Sequence, residues 1–471
     1  MSSASLTRRT FLSRSTVLLA ASCAPAAFAT SAKPNIVFIL ADDLGFADLS
    51  VYGRRDYETR HLDRLAREGV RFTQAYSNSA VCSATRFALL TGRYQYRLRG
   101  GLEEPIRWPN AALGLPPSHP TLPSLLKRAG YATALIGKWH LGYLPEYGPL
   151  KSGYDEFFGN YGSAVDYFTH RGVGDGQAPA PKDLFEGEVP VEKTGYYTRL
   201  LADRAATYLS RKRTEPFFLS LHFTAPHWPW EGPNDGETAN RLKDIRHYDG
   251  GSLQIYAQMV LALDDAVGRV LATLEAQGLS DNTLVVFTSD NGGERFSDNW
   301  PFSGQKTELL EGGIRVPAIV RWPAKLTSGV CEQVAISMDW LPTLLAAAGA
   351  SPDPAYPPDG EDLLPVLTNQ RPSHPRTLYW RYKANEQRAL RTGDFKYLKI
   401  NGTEYLFDLA IDVRERANLA QKRAEKLTEL RGKWEQWNAQ MLPISEDAFS
   451  HGLSSKQQAD HYFTPPPSAA K

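Results

Sequence analysis

Apolar residues recur along this chain in two distinct patterns. Short continuous runs rich in β-branched and aromatic residues predict buried strands, and they fall at 35–40, 132–136, 217–221, 283–288 and 316–320. Longer segments with apolar residues at helical spacing predict helices at 121–129, 197–211, 253–277 and 341–348. Because the two patterns alternate, we predict an α/β fold with a large, mostly parallel sheet sandwiched by helices.

The pattern changes beyond residue 372. Short strand-like pieces lie at 378–382, 389–390, 396–400 and 405–409, and a charged helix is predicted over 417–440. We therefore predict a main domain over 30–371 and a smaller C-terminal α+β subdomain over 372–445. Residues 446–471 are predicted to form a loose tail or to wrap the surface.

The first residues have the features of an export signal. Arg8 and Arg9 form a twin-arginine motif, residues 16–28 are mostly apolar and small, and Ala27 and Ala29 fit a small-x-small cleavage site. We predict a twin-arginine signal peptide over 1–29, which implies export by the twin-arginine machinery to the periplasm or out of the cell. Lipidation at Cys23 is an alternative, although the residues before it make a poor lipobox.

Composition excludes several classes of protein. The 53 Lys and Arg nearly balance the 52 Asp and Glu, so no overall field attracts nucleic acid or an anionic membrane. No segment after the signal is long and apolar enough for a membrane span, which needs about 20 residues. Without the signal, Cys82 and Cys331 remain, too few for a disulfide framework in an oxidising compartment.

Oxygen-bearing side chains follow two of the predicted strands. The run 35–40 leads into Asp42 and Asp43, and the run 283–288 leads into Asp290 and Asn291. Ligands of open parallel sheets gather at the carboxyl ends of the strands, so we expect these side chains to meet. Crowded carboxylates need a cation, and a ligand set without His favours calcium or magnesium over zinc. Alternatively, Asp43 or Asp290 caps a following helix.

A further motif begins at Cys82 and ends at Arg93, and reads C-S-A-T-R-F-A-L-L-T-G-R. It resembles the sulfatase signature Cys-x-Pro-Ser-Arg-x-x-x-x-Thr-Gly-Arg, whose first residue is oxidised to formylglycine. Ala84 and Thr85 depart from the commonest form of this signature. Alternatively, Cys82 is a small hydrophobic residue buried at the start of a helix. Further family-like motifs lie at 34–37, 42–45, 137–142, 225–229, 289–293, 311–317, 339–343, 406–409 and 418–419.

The chain therefore resembles the formylglycine-dependent sulfatases, of the arylsulfatase and N-acetylgalactosamine-6-sulfatase type. This resemblance implies an alkaline phosphatase-like fold, with the catalytic machinery in 30–371. It also implies one cation, calcium rather than magnesium, bound by Asp42, Asp43, Asp290, Asn291 and the modified Cys82. A formylglycine-generating enzyme is then the maturation partner.

The resemblance also implies roles for positive side chains. Hydrolysis of a sulfate ester builds negative charge on the leaving oxygen, so fixed positive charge is needed. Arg86, Lys138 and Lys306 match family positions that hold formylglycine and sulfate oxygens, with the metal as an additional Lewis acid. The ordinary alternative for each is a solvated surface charge.

Two histidines and a serine complete the implied site. His140 resembles the residue that contacts the hydrated aldehyde and assists its collapse, and His227 resembles the general acid for the leaving oxygen. Ser163 lies where the family has a serine that supports substrate binding, together with Lys138, Lys306 and His227. Taken singly, either histidine fits a packing role as well.

The implied reaction is hydrolysis of sulfate monoesters, of carbohydrates and also of aryl alcohols. One alternative is a phosphodiester or phosphonate monoester hydrolase on the same scaffold, and another is a non-catalytic binder of sulfated glycans. Aromatic and basic residues at 94–107, 167–171 and 228–230 are candidates for a sugar subsite or for ordinary core.

Overall fold

The computed structural model describes Met1 and residues 33–107, 110–172, 180–242 and 251–452. Residues 2–29 of the predicted signal peptide, with Cys23, and residues 453–471 of the predicted tail lie outside the described residues. The strands of the described ranges are β1 Asn35–Asp42, β2 Val70–Phe72, β3 Ala75–Tyr76, β4 Ala132–Gly137, β5 Glu156–Gly159, β6 Phe185–Glu186, β7 Val189–Pro190, β8 Phe217–Pro226, β9 Thr283–Ser289, β10 Ala318–Arg321, β11 Gly329–Cys331, β12 Ala335–Ile336, β13 Thr377–Tyr382, β14 Gln387–Thr392, β15 Phe395–Ile400 and β16 Thr403–Asp408.

The α-helices of the same ranges are α1 Arg60–Glu68, α2 Cys82–Thr91, α3 Leu122–Arg128, α4 Tyr197–Leu209, α5 Gly236–Leu242, α6 Leu253–Ala276, α7 Glu311–Ile314, α8 Trp340–Ala347, α9 Leu364–Leu367 and α10 Ala424–Asn438. None of them combines the length and the apolar character that a bilayer-spanning helix requires.

A ten-stranded sheet has the order β11-β2-β10-β9-β1-β8-β4-β5-β6-β7. β1 pairs in parallel with both β8 and β9, and β4 pairs in parallel with β8 and β5. β10 is antiparallel to β9 and β2, and the short β6 and β7 are antiparallel as well. The predicted α/β fold with a mostly parallel sheet is therefore confirmed, and the sheet is mixed towards its edges.

Both faces of this sheet are covered, which explains the continuous apolar run of β1. Val37 and Ile39 point into a core shared with α4 and α6, whereas Ile36 and Phe38 point into a core shared with α3 and α8. Side chains alternate between the faces of a strand, so a strand covered on both sides is apolar at every position.

The helices predicted in the main domain are present in the structure. α3, α4, α6 and α8 match the predicted segments within a few residues, and α6 begins after Ser252, whose side chain accepts a hydrogen bond from Ile255 N. α2 was not predicted as a helix, because all ten of its residues are buried and no polar face marks the helical period. α10 begins at Ala424 rather than near residue 417.

A separate four-stranded antiparallel sheet, β13-β14-β15-β16, lies in the C-terminal part. Its residues Trp380 and Leu390 share a core with Ala84 and Ala88 of α2 and with Trp434 of α10. The helix that begins at Cys82 is thus packed between this sheet and the large one. The domain boundaries predicted at 30, 372 and 446 stay predictions.

The C-terminal sheet also takes part in a buried set of charges, which we call the Glu311 cluster (Tyr76, Glu311, Arg315, Lys396 and Glu415). Lys396 Nζ lies 3.0 Å from Glu311 Oε1 and 2.8 Å from Glu415 Oε1. Tyr76 Oη donates to Glu311 Oε2 at 2.6 Å, and Arg315 Nη1 lies 3.2 Å from the same oxygen. The cluster joins α7 to β15 and β3 through charges that face one another.

The first residues of the predicted tail are described. Phe449 O accepts a hydrogen bond from Glu104 N at 2.9 Å, and His451 N donates to Glu104 O at 2.6 Å. Ala448 is buried. Residues 446–452 therefore lie against the loop around Glu104.

Candidate active site

The carboxyl ends of β1 and β9 bring four oxygen-bearing side chains together. The two strands are paired up to Ala41 and Ser289, so the residues that follow lie side by side. Asp43 N donates to Asp290 Oδ1 at 3.3 Å, and Asn291 Nδ2 donates to Asp43 Oδ1 at 2.7 Å. The convergence expected from the two strand ends is therefore present.

Two oxygens of this group have an unmet capacity for a ligand. Among the described residues, Asp42 Oδ1 and Asn291 Oδ1 are buried and have no hydrogen-bond partner. Ligand atoms of Asp42, Cys82 and Asp290 lie within 4.8 Å of one another, as do those of Asp42, Asp43 and His227. Buried carboxylate oxygens without partners are costly, so this group fits a divalent cation.

Cys82 is the first residue of α2 and is 1% exposed. Burial raises the pKa of its thiol to about 11, which Lys138 and Lys306 only partly oppose. An unmodified thiol here stays protonated near neutral pH and is a weak nucleophile.

Arg86 lies one helical turn after Cys82 and points at the same place. Its Nη2 lies 2.8 Å from Asp290 Oδ2, and its Nη1 donates to Lys138 O at 3.1 Å. Burial opposes its charge, but Asp290 and Asp42 raise the pKa of Arg86 above its ordinary value. The guanidinium is therefore a fixed charge at the base of the site.

Two lysines approach from other parts of the chain. Lys138 follows β4, and its Nζ lies 2.5 Å from Asp42 Oδ2. Lys306 Nζ lies 2.5 Å from Asp43 Oδ2. Burial alone would lower the pKa of Lys306, but Asp43 and Glu294 raise it well above its ordinary value. We call the whole group the strand-end cluster (Asp42, Asp43, Arg86, Lys138, Asp290, Asn291 and Lys306).

His140 is buried beside this cluster with a defined tautomer. Its Nε2 lies 2.9 Å from Ile106 O, and a carbonyl oxygen only accepts, so the proton is on Nε2. Nδ1 has no hydrogen-bond partner among the described residues. Burial and the nearby Lys138 hold the pKa of His140 well below its ordinary value, so the ring is neutral with a free lone pair on Nδ1.

His227 is oriented in the opposite sense. Its Nδ1 donates to Trp228 O at 2.5 Å, and its Nε2 lies 3.5 Å from Asp43 Oδ2. Burial and the charges of Lys306 and Lys138 hold its pKa well below the ordinary value. Without a bound anion, Nε2 therefore lacks the proton that a general acid must supply.

Comparison with known proteins decides the family. The model of the family described as Sulfatase matches residues 34–350, and a model described as N-sulphoglucosamine sulphohydrolase, C-terminal, matches residues 304–440. The chain belongs to the sulfatase family. It is a sulfuric ester hydrolase, and its relatives do not favour the phosphonate hydrolase or the non-catalytic binder.

Individual sulfatases are similar over most of their length. N-acetylgalactosamine-6-sulfatase of Mus musculus is 37% identical over 391 residues, which cover 77% of this chain and 71% of the relative. Steryl-sulfatase of Mus musculus is 36% identical, covering 76% and 69%. The solved structure of Ps i-CgsB in complex with k-i-k-neocarrahexaose is 29% identical, with a TM-score of 0.79, and covers 89% of this chain and 95% of that one.

Some predicted residues of this sulfatase are not brought into the cluster. Ser163 is half-buried, and among the described residues it makes no hydrogen bond to the cluster, so its substrate-binding role stays a prediction. Tyr94, Tyr96 and Tyr167 are buried in the core, which favours packing over a sugar subsite for these three. Trp228 is half-buried next to His227.

The sulfatase also has two buried groups near the cluster, Glu294 and His222, that no sequence motif indicated. Both carboxylate oxygens of Glu294 lack a hydrogen-bond partner among the described residues, and burial raises its pKa well above the ordinary value. On β8, His222 Nδ1 lies 3.3 Å from Lys138 O and 3.4 Å from Arg86 Nη1. A histidine inside a mostly apolar strand was the available signal for His222, whereas Glu294 lies in a loop without a pattern.

Proposed function

We propose that this sulfatase removes sulfate from a sulfated carbohydrate, using formylglycine formed from Cys82 and one calcium ion. The observation that carries the proposal is the pair of buried oxygens without hydrogen-bond partners among the described residues, Asp42 Oδ1 and Asn291 Oδ1, in a group where ligand atoms of Asp42, Asp290 and Cys82 lie within 4.8 Å of one another. Two similar proteins support the substrate class, because one is named N-acetylgalactosamine-6-sulfatase and another was solved with k-i-k-neocarrahexaose.

Asp42, Asp43, Asp290 and Asn291 would hold the cation, together with the modified Cys82. Three carboxylates and an amide oxygen are hard ligands, which favour calcium over zinc. Calcium is also favoured over magnesium, because its coordination geometry is flexible whereas magnesium requires a near-ideal octahedron. When bound, the cation supplies Lewis-acid stabilisation of negative charge, and formylglycine supplies the nucleophile.

The positive side chains would bind the sulfate group. Lys138 Nζ and Lys306 Nζ lie against Asp42 and Asp43, the carboxylates that would hold the cation. Both ammonium groups are therefore placed to bind an anion beside it. Arg86 keeps Asp290 as its partner and would stabilise the base of the site.

The two histidines would move protons at opposite ends of the reacting group. The free lone pair on Nδ1 of His140 would accept a proton from the group at position 82. His227 would protonate the leaving oxygen from Nε2, after the negative charge of the bound sulfate has favoured its protonated form.

Maturation completes the proposal. We propose that a formylglycine-generating enzyme oxidises Cys82 and that the twin-arginine machinery exports the protein to the periplasm or out of the cell. The support comes from the signature at 82–93 and from Arg8 and Arg9 within the predicted signal peptide.

Mass spectrometry tests the nucleophile directly. The tryptic peptide Phe72–Arg86 should carry an aldehyde in place of the Cys82 thiol. Cys82→Ala should lose activity on a sulfated saccharide by about 10³-fold or more, whereas Cys331→Ala, which replaces the other buried cysteine of the described residues, should keep it. A Cys82→Ala protein with undiminished turnover would refute the proposed nucleophile.

A substrate panel tests the substrate class. Measured kcat/KM should be higher for at least one monosulfated saccharide than for a simple aryl sulfate, because the remote part of a good substrate contributes binding energy to the reaction. Preference for the aryl sulfate over every saccharide would contradict the carbohydrate assignment and leave sulfate hydrolysis standing.

A further inference from the structure

The tautomer of His140 depends on a single backbone carbonyl. Ile106 O lies 2.9 Å from His140 Nε2, and this contact leaves Nδ1 as the free acceptor. If that carbonyl moved, the proton could occupy either nitrogen. The role proposed above for His140 therefore requires something that holds Ile106 in place.

The backbone of Ile106 is hydrogen-bonded to α2, the helix that begins at Cys82. Its N–H donates to Ser83 Oγ at 2.9 Å, and Ser83 follows Cys82 on α2. The short segment at Ile106 thus touches both the residue next to Cys82 and the ring of His140. Its own conformation is not fixed by a regular strand or helix.

Glu104, two residues before Ile106, makes hydrogen bonds through both its backbone and its side chain. Its N–H donates to Phe449 O at 2.9 Å, and its carbonyl accepts from His451 N at 2.6 Å. Its Oε2 accepts from Lys383 N and from Ser450 Oγ, both at 2.7 Å. The side chain is buried, and burial raises its pKa to about 7.

Apart from Lys383, these partners of Glu104 belong to one segment, residues 445–452, which we call the C-terminal strap. Lys383 Nζ holds its start by donating to the carbonyl oxygens of Ser445 at 2.9 Å, Glu446 at 2.7 Å and Ala448 at 2.6 Å. Tyr382 Oη donates to His451 O at 2.6 Å. The strap is therefore fastened to the C-terminal sheet and reaches across to Glu104.

We propose that Glu104 is a positioning residue which, clamped by the C-terminal strap, holds the Ile106 carbonyl against His140 and so keeps the His140 lone pair on Nδ1. The inference rests on the proposed role of His140. Displacements of about 1 Å in a supporting contact cost on the order of 10²-fold in rate, so a clamp of this kind is sufficient to matter.

Steady-state kinetics on the full-length, calcium-loaded protein provide the first test. Glu104→Ala should lower kcat by about 10-fold to 10²-fold, while KM and inhibition by inorganic sulfate stay within about twofold, because the lysines that bind sulfate are untouched. Glu104→Gln should restore most of kcat, since an amide oxygen still accepts from Lys383 N and Ser450 Oγ. Asp447→Ala, in the strap but without a hydrogen bond to Glu104, is the matched control and should behave like the wild type.

Hydrogen exchange provides a readout that does not depend on activity. In the protein with unconverted Cys82, Glu104→Ala should speed exchange of the Ile106 amide, and Asp447→Ala should not. Should Glu104→Ala fold poorly, Ser450→Ala removes only one of the two hydrogen bonds to Oε2 and should shift kcat and exchange in the same direction by less.

Three results would overturn the inference. An unchanged kcat in Glu104→Ala, alongside a His140→Ala protein that has lost turnover, would show that His140 needs no such clamp while its proposed role stands. If Glu104→Ala and Glu104→Gln lost kcat equally, and if the melting temperature fell and KM changed along with kcat, Glu104 would have only a stabilising role. If His140→Ala itself kept full kcat, the proposed role of His140 would fail and this inference with it.

Discussion

Two clusters of buried charges in this sulfatase are built from the same kinds of side chain and do different things. In the Glu311 cluster, Glu311 and Glu415 face Lys396, a cation of their own chain. In the strand-end cluster, Asp42 Oδ1 and Asn291 Oδ1 face no partner among the described residues. The first cluster joins two sheets and is closed by ion pairs within the chain, because Glu415 Oε1, which makes no hydrogen bond among the described residues, lies 2.8 Å from Lys396 Nζ. The second cluster keeps capacity for a ligand.

The comparison teaches that burial of charge alone does not identify a functional site. Both clusters are almost fully removed from solvent, and both place lysine next to carboxylate. The two clusters differ in whether buried oxygens remain without a partner once the contacts within the chain are taken into account. Variants that act on one cluster should therefore leave the function of the other intact.

The largest effect is expected from Asp42→Asn. This change keeps the shape of the side chain but removes one charge for the cation and the partner of Lys138. Activity on a sulfate ester should fall by about 10³-fold, which corresponds to about 4 kcal/mol. Activity within tenfold of the wild type, measured at saturating calcium, would place the essential cation elsewhere.

The next effect separates the clusters by stability. Lys396→Met leaves Glu311 and Glu415 without their shared cation and should cost about 3–5 kcal/mol in the free energy of unfolding. The turnover of the remaining folded protein should change little. The free energy of unfolding is measured with denaturant, and Lys399→Met, on the same strand but half-exposed, is the control. Similar losses of stability in both variants would contradict a stabilising role specific to the Glu311 cluster.

Removal of the metal sharpens the difference. Calcium at about 100 times its dissociation constant should add about 2.7 kcal/mol to stability, and a chelator should remove that increment. The increment should persist in Lys396→Met and vanish in Asp42→Asn, as measured by melting temperature in the two buffers. An increment that is unaffected by Asp42→Asn would mean that calcium binds at another site.

The smallest effect, taken per pH unit, is a difference in pH dependence. Burial opposes the charge of Glu311, but Lys396 and Arg315 prevail and lower its pKa from 4.5 to about 2. The stability from Glu311 is therefore present above pH 4.5 and is lost as pH falls towards 2. Burial and Asp42 raise the pKa of Asp290 from 3.8 to about 6. Without calcium, the folded protein then binds this proton more tightly than the unfolded chain, and stability falls as pH rises from 3.8 to 6.

Each slope should reach up to about 1.4 kcal/mol per pH unit. Glu311→Gln should flatten the slope at low pH, and Asp290→Asn should flatten the other one. Unfolding free energies measured from pH 2 to pH 7 in chelator check both. Calcium should weaken or reverse the Asp290 slope, because the cation favours the carboxylate.

Sequence patterns predicted the centre of this fold well. β1, β8 and β9 are covered on both faces, so their apolar runs are continuous, and the ends of β1 and β9 indicated where Asp42 and Asp290 meet. Motif resemblance added Cys82, whose ligand atom lies within 4.8 Å of those of Asp42 and Asp290, and its catalytic role stays a prediction. Long helices such as α6 carry several turns of a regular period and were also found.

The rest lacked a local pattern. α2 is buried on every side, so its helical period has no polar face to reveal it. The antiparallel direction of β10 and the Glu311 cluster depend on contacts between residues far apart in the chain, as when Lys396 meets Glu311 across 85 residues. The ring orientation of His140 depends on a loop carbonyl, and no spacing rule predicts such a contact.

The long separations within the strand-end cluster set an order of events in time. Lys306 and Asp43 are 263 residues apart, and Arg86 and Asp290 are 204 apart, so these pairs form only after most of the chain has come together. Helices and local hairpins can form much earlier. On refolding, catalytic competence should consequently return last, and it reports completion of the whole sheet rather than of any one segment.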